Sequence, residues 1–144
     1  MSTDTVVHAL HFGASLQRAQ AVLQQRLDER LGDWHGLNLA DYQLLQALVQ
    51  EAEGLSLSAL ARVLLQKPAA LLRQLLPMEK TGLLERTHGQ VRLRPAGRQL
   101  QAEAQRTTQA VYDQAVRALG ADASALAACQ QLLERLAAPV GGRL

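Results

Sequence analysis

Aromatic side chains are scarce, with one Phe, one Trp and two Tyr in the whole chain. Leu and Ala must therefore build most of the interior, which favours packed helices. The single Cys129 excludes an intramolecular disulfide framework and suits a reducing compartment. No basic residue lies within four positions of it, so it reads as a small buried hydrophobe of the last helix rather than a redox thiol. Long apolar runs are missing too. The longest stretch free of Asp, Glu, Lys and Arg, Thr5 to Gln17, is too short to span a bilayer and is interrupted by His8 and His11. Asp4, with no Lys or Arg ahead of the first apolar residues, is the wrong start for a secretory signal. The expectation is a soluble cytoplasmic protein with no membrane partner.

Signatures of catalysis are absent as well. There is no nucleophile elbow, no P-loop and no glycine-rich dinucleotide turn. His8 and His11 are spaced to share one helix face, but no neighbouring carboxylate or Cys completes a metal site. His35 lies close to Asp33 and Asp41 only in sequence. The chain is expected to be no enzyme and to need neither cofactor nor metal.

What is present is enough for one domain over residues 1–144, with 48% hydrophobic residues to form a core. The net charge of +2 hides an asymmetry. Between Leu57 and Arg98 there are eight basic and two acidic residues, whereas the remainder holds seven basic and eleven acidic ones. A basic third of this kind is the electrostatic footprint of a polyanion-binding module; the bland alternative is a solvated surface.

Periodicity predicts a first helix from Val6 to Leu31, followed by a break between Gly32 and Gly36 that holds Trp34 and His35. Asn38, with Asp41 three residues on, forms a capping-box-like start for a helix burying Tyr42, Leu45, Leu48 and Val49. Ser56 is a good cap for the helix "LSALARVLL", and Gln66-Lys67 make a brief turn. Pro68 suits the first position of the next helix, "PAALLRQLLPMEKTG", with Pro77 inside it and Gly82 as its stop. A long helix opens at Pro95. Asp122 caps a last helix carrying Leu126, Cys129, Leu132, Leu133 and Leu136, with Pro139 and Gly141-Gly142 at its end.

Between Gly82 and Pro95 the period changes to alternation, with "VRLR" after the turn "THGQ". Val91 and Leu93 point to one face, Arg92 and Arg94 to the other. Two short helices with a tight turn, then an arginine-bearing hairpin, is the winged helix-turn-helix order, in which one helix lies in the major groove and the wing reaches the backbone. The fold class is thus mainly α: a winged helix-turn-helix lobe over 36–98, with a small β-hairpin wing, flanked by long helices at 5–31 and 95–138.

From Gly36 to Ala138 the chain resembles the MarR family of transcriptional regulators. The matching stretches, in order, are "GLNLADYQLLQAL", "GLSLSALARVLLQKPAALLRQLLPMEKTGLLER", "LRPAGRQL" and "LAACQQLLERLAA". The resemblance implies a homodimer held by the first and last helices, repression from a pseudo-palindromic operator on double-stranded DNA, and relief by a small, here aromatic, effector. It also implies contacts from Arg62, Lys67, Ala69, Ala70, Arg73, Gln74, Arg86, His88 and Arg92. Arg73 and Gln74 would read bases, Ala69 and Ala70 would offer methyl contacts, and Lys67, Arg62 and Arg92 would meet phosphates. Phe12, Trp34 and Tyr42 are candidates for an effector pocket; core or interface packing is the plainer reading of all three. The family's wing is usually longer, and its reading helix usually begins with polar residues. A protein-interaction module that has lost operator binding therefore stands as the alternative.

Overall fold

Local capping fixes most element boundaries in the computed structural model, which describes residues 2–138. The order is α1 (Thr3–His35), α2 (Leu39–Val49), β1 (Leu55–Ser56), α3 (Leu57–Val63), α4 (Pro68–Lys80), β2 (Leu84–Thr87), β3 (Gln90–Leu93), α5 (Pro95–Leu119) and α6 (Ala123–Ala137). Asn38 accepts from the Asp41 amide while the Asp41 carboxylate accepts from the Asn38 amide, a complete capping box on α2. Ser56 and Asp122 cap α3 and α6 through the amides of Ala59 and Ala125. Pro139, Gly141 and Gly142 lie outside the described residues.

The expected break at Gly32 is not there. The first helix runs on through Trp34 to His35 and ends at Gly36, whose φ of 67° turns the chain so that the next amide, of Leu37, reaches the Leu31 carbonyl. Tertiary bonds offset the cost of a helical glycine. The Asp28 carboxylate accepts from the Leu39 amide at 2.7 Å, and His35 meets Thr107 of α5 at 2.7 Å.

The chain forms two compact units, Met1–Val111 and Tyr112–Leu144. In the first unit the core gathers Leu27 and Leu31 of α1, Leu44, Leu45 and Leu48 of α2, Leu60 of α3, Leu71 and Leu75 of α4, Leu84, Val91 and Leu93 of the sheet, and Ala104 of α5. Tyr42 is its one aromatic side chain. In the second unit α6 buries none of its residues, so Cys129 is exposed rather than buried.

The sheet has three strands in the order β1-β3-β2, antiparallel throughout. The expected hairpin is β2–β3, with Leu84 opposite Leu93 and Thr87 opposite Gln90. The third strand, only Leu55–Ser56, pairs Leu55 with Val91. Gly54 makes that pairing possible, because a Cβ there would overlap the Val91 carbonyl oxygen. A second close approach ties the wing to α5. The Leu83 carbonyl accepts from the Arg94 amide at 3.0 Å, and a Cβ on buried Gly97 would run into the same oxygen. Gly97→Ala should therefore destabilise the fold by about 1–3 kcal/mol in urea unfolding, since the clashing atom is backbone. Wild-type stability in this variant would mean that α5 does not approach Leu83 so closely.

The turn between α3 and α4 carries the opposite kind of feature. The amides of Leu65 and Gln66 reach the carbonyls of Arg62 and Ala61, a Schellman stop to α3. Leu65 occupies its left-handed position at φ 53° while 93% exposed. Glycine is the residue that fits this position without strain. Leu65→Gly should raise stability by about 0.5–1 kcal/mol, read as an upward shift in thermal midpoint. A fall would show that Leu65 is not strained.

Candidate nucleic-acid interface

Packing decides which face of α4 meets solvent. Leu71, Leu75 and Met78 turn into the core, which leaves Pro68, Ala69, Ala70, Arg73, Leu76, Pro77 and Lys80 outward. Pro68 occupies the first helical turn, and Lys67 is the N-cap residue. The helix continues past Pro77 to Lys80, and the Thr81 hydroxyl caps the Pro77 carbonyl at 3.0 Å. Leu76 and Pro77, with Arg73, Glu79 and Lys80, line a shallow groove.

Gln74 does not reach outward. It is half-buried, its Oε1 accepts from Gln66 Nε2 at 3.2 Å, and its Nε2 donates to Asp41 Oδ1 at 3.2 Å. Asp41 is itself held by the capping box of α2, so the amide ties α4 to α2. Both polar atoms of Gln74, expected as a base reader, are thus engaged within the fold.

The wing is as short as a hairpin can be. Only His88 and Gly89 link the paired Thr87 and Gln90, at φ 51° and 74°, the positive values a type I′ turn requires. Val91 and Leu93 are buried, as alternation predicts, with Arg92 and Arg94 on the other side. Arg92 is not free. Its Nε donates to Glu85 Oε1 on the neighbouring strand at 2.6 Å. Arg86 in turn pairs with Glu79 of α4 at 2.9 Å.

These two pairs use up both carboxylates of the basic segment, Glu79 and Glu85. Arg98 is half-buried and donates to the Val49 carbonyl at 3.1 Å. Arg62, Lys67, Arg73, Lys80 and Arg94 are exposed and make no ion pair among the described residues. Arg62, Lys67 and Arg73 are among the expected contacts. Lys80 and Arg94 are not, although both belong to the same basic count. Their exposure follows from the outward face of α4 and the end of β3, which charge alone does not show.

The three aromatic candidates do not converge within the chain. Tyr42 is sealed in the core, whereas Phe12 and Trp34 are exposed on α1. Twenty-two residues on one continuous helix put those two roughly 33 Å apart. His35 bonds to Thr107 rather than to Asp33 or Asp41. His8 does have a carboxylate neighbour, contrary to expectation: Asp4, one turn earlier, at 3.4 Å. No group of three or more metal-ligating side chains occurs among the described residues.

No protein-family model and no curated protein matches the sequence. Solved structures do. A DNA complex of the Mycobacterium tuberculosis MarR family protein Rv2887 is 28% identical, with a TM-score of 0.74 over 88% of this chain and 97% of that one. The transcriptional regulator PA3341 is 27% identical, with a TM-score of 0.78 over 92% and 99%. CouR from Rhodococcus jostii RHA1, bound to p-coumaroyl-CoA, is 20% identical, with a TM-score of 0.83 over 92% and 95%. The class defined by the fold is the winged helix-turn-helix protein. Within that class, this chain has the fold of the MarR-family transcriptional regulators.

Proposed function

We propose that the chain is a dimeric transcriptional regulator that binds double-stranded DNA and represses from a pseudo-palindromic operator. The observation that carries this reading is the set of five exposed, unpaired cations on α3, α4 and the end of the wing, in a segment whose two carboxylates are already paired. Phosphate neutralisation by Lys and Arg supplies the sequence-independent share of DNA affinity and makes it fall with salt. The DNA-bound neighbour lends support. No helix among the described residues is long and apolar enough to cross a membrane.

Two apolar faces support the dimer. The N-terminal half of α1 exposes Val6, Val7, Leu10 and Phe12, and α6 exposes Leu132, Leu133 and Leu136. Burying such faces is the main drive to association. A small effector belongs to the same reading, since neighbours have been solved with p-coumaroyl-CoA and p-aminosalicylic acid. Phe12, Trp34 and Tyr42 are not assigned to it.

The protein-interaction alternative keeps one observation in its favour. Val63, Leu65 and Leu76 are exposed beside the cations, at 61%, 93% and 49%. Salt dependence separates the two readings.

Duplex binding should weaken linearly in log salt, by about 0.9 per neutralised phosphate. Lys67→Ala should weaken all sequences alike and flatten that slope by about one if the side chain neutralises a single phosphate. Arg92→Ala should change it less, because Glu85 holds that guanidinium, while Glu85→Gln should release it and strengthen binding. Salt-independent binding, or none at low salt, would transfer the case to a protein partner. Light scattering at micromolar concentration should give a dimer, and Leu132→Lys with Leu136→Lys should shift it towards monomer; an unaffected dimer would place the interface elsewhere.

A further inference from the structure

We propose that α4 selects thymine-bearing half-sites through methyl contacts, with Ala69 and Ala70 as specificity-determining residues and Arg73 as the one hydrogen-bonding reader. The inference rests on the DNA-binding reading above and names the base chemistry that the same face takes.

Each of the four bases asks for a different side chain. Adenine is read in the major groove by the bidentate amide of Asn or Gln. The one such amide on α4, Gln74, is half-buried with both polar atoms engaged, and turning it outward would break the links to Gln66 and Asp41. Cytosine offers a donor, which a carboxylate accepts. The one carboxylate on α4, Glu79, is paired with Arg86. Guanine takes a bidentate Arg, and Arg73 is exposed without a carboxylate partner. Lys80, in the last turn, lies two turns further on. Thymine alone presents a methyl group, which apolar side chains contact.

Ala69 and Ala70 are exposed one turn before Arg73, at spacings of four and three residues, so all three share a face. One helical turn advances about 5.4 Å, against about 3.4 Å for each step of duplex DNA. The thymines should therefore lie within about two base pairs of a guanine. Small side chains suit the position, because the helix backbone can then approach the base edges closely.

The test begins with duplexes selected from a random pool by the full-length protein. The selected half-sites should carry thymine next to guanine. Replacing those thymines with deoxyuridine removes only the methyl group and leaves pairing intact. Affinity should fall about fourfold for each contacted thymine, the value of one buried methyl-sized group. The same replacement in a scrambled duplex should change nothing. Ala69→Gly and Ala70→Gly should each shrink the deoxyuridine effect, with an unchanged circular dichroism spectrum showing an intact fold. Equal binding of thymine and deoxyuridine sites would overturn the methyl reading and leave DNA binding standing. A full deoxyuridine effect in both Gly variants would assign the methyl to duplex shape and overturn the residue assignment. Binding to no duplex, even at low salt, would overturn this inference together with the function it rests on.

Discussion

The buried face of α4 governs most of what this protein can present to a partner. Leu71, Leu75 and Met78 must lie against the core, and a helix so anchored has no freedom to rotate. Its remaining positions are then assigned by geometry. Arg73 and Lys80 go outward with the alanines, while Gln74 goes sideways towards Asp41 and Gln66. The same packing carries Glu79 to the flank, within reach of Arg86 on β2. A hydrophobic constraint, with no chemistry of its own, thus sets which polar groups are available and which are already engaged.

Electrostatics follows from that arrangement. The sequence shows an excess of six positive charges between Leu57 and Arg98, but not which residues supply it. The folded wing brings Glu85 opposite Arg92 across the antiparallel pair, a register that alternation alone does not reveal. Half-exposed pairs of this sort contribute little to stability, on the order of 1 kcal/mol or less. Their larger consequence is to withdraw the wing's Arg86 and Arg92 from the free charge, which shifts the exposed positive face towards α3, α4 and Arg94.

The features legible in the sequence are local ones. The caps at Asn38, Ser56 and Asp122 and the prolines at the starts of α4 and α5 act within one turn of chain, and each appears where its chemistry places it. The buried Val91 and Leu93 follow from a two-residue period. The misses depend on distant partners. Helix α1 continues through Gly32 because Asp28 and His35 find Leu39 and Thr107. β1 is too short to show a period and forms because Gly54 admits the Val91 carbonyl. Cys129 reads as a core residue because α6 is amphipathic, yet none of that helix is buried. Gln74 reads as a base contact because its type and helix are right, but Asp41, 33 residues away and part of the α2 capping box, engages its amide.

The scarcity of polar readers and the shortness of the wing point the same way. A two-residue turn gives the wing little reach, and its two central arginines are tied to glutamates. On the proposed DNA-binding reading, sequence discrimination falls to α4, whose outward groups are two alanine methyls, two proline rings, a leucine, the unpaired Arg73 guanidinium and, in the last turn, Lys80. Phosphate contacts place a protein on DNA without choosing a sequence, and direct choice falls to base-edge contacts. Here the placing groups outnumber the choosing ones. If the proposed DNA-binding function holds, such a surface gives binding whose affinity is governed by salt and whose selectivity is modest, near the low end of the ~10³–10⁷ preference usual for specific sites. The apolar character of Leu65 and Leu76 fits that balance: both are exposed beside the cations and neither side chain can form a hydrogen bond.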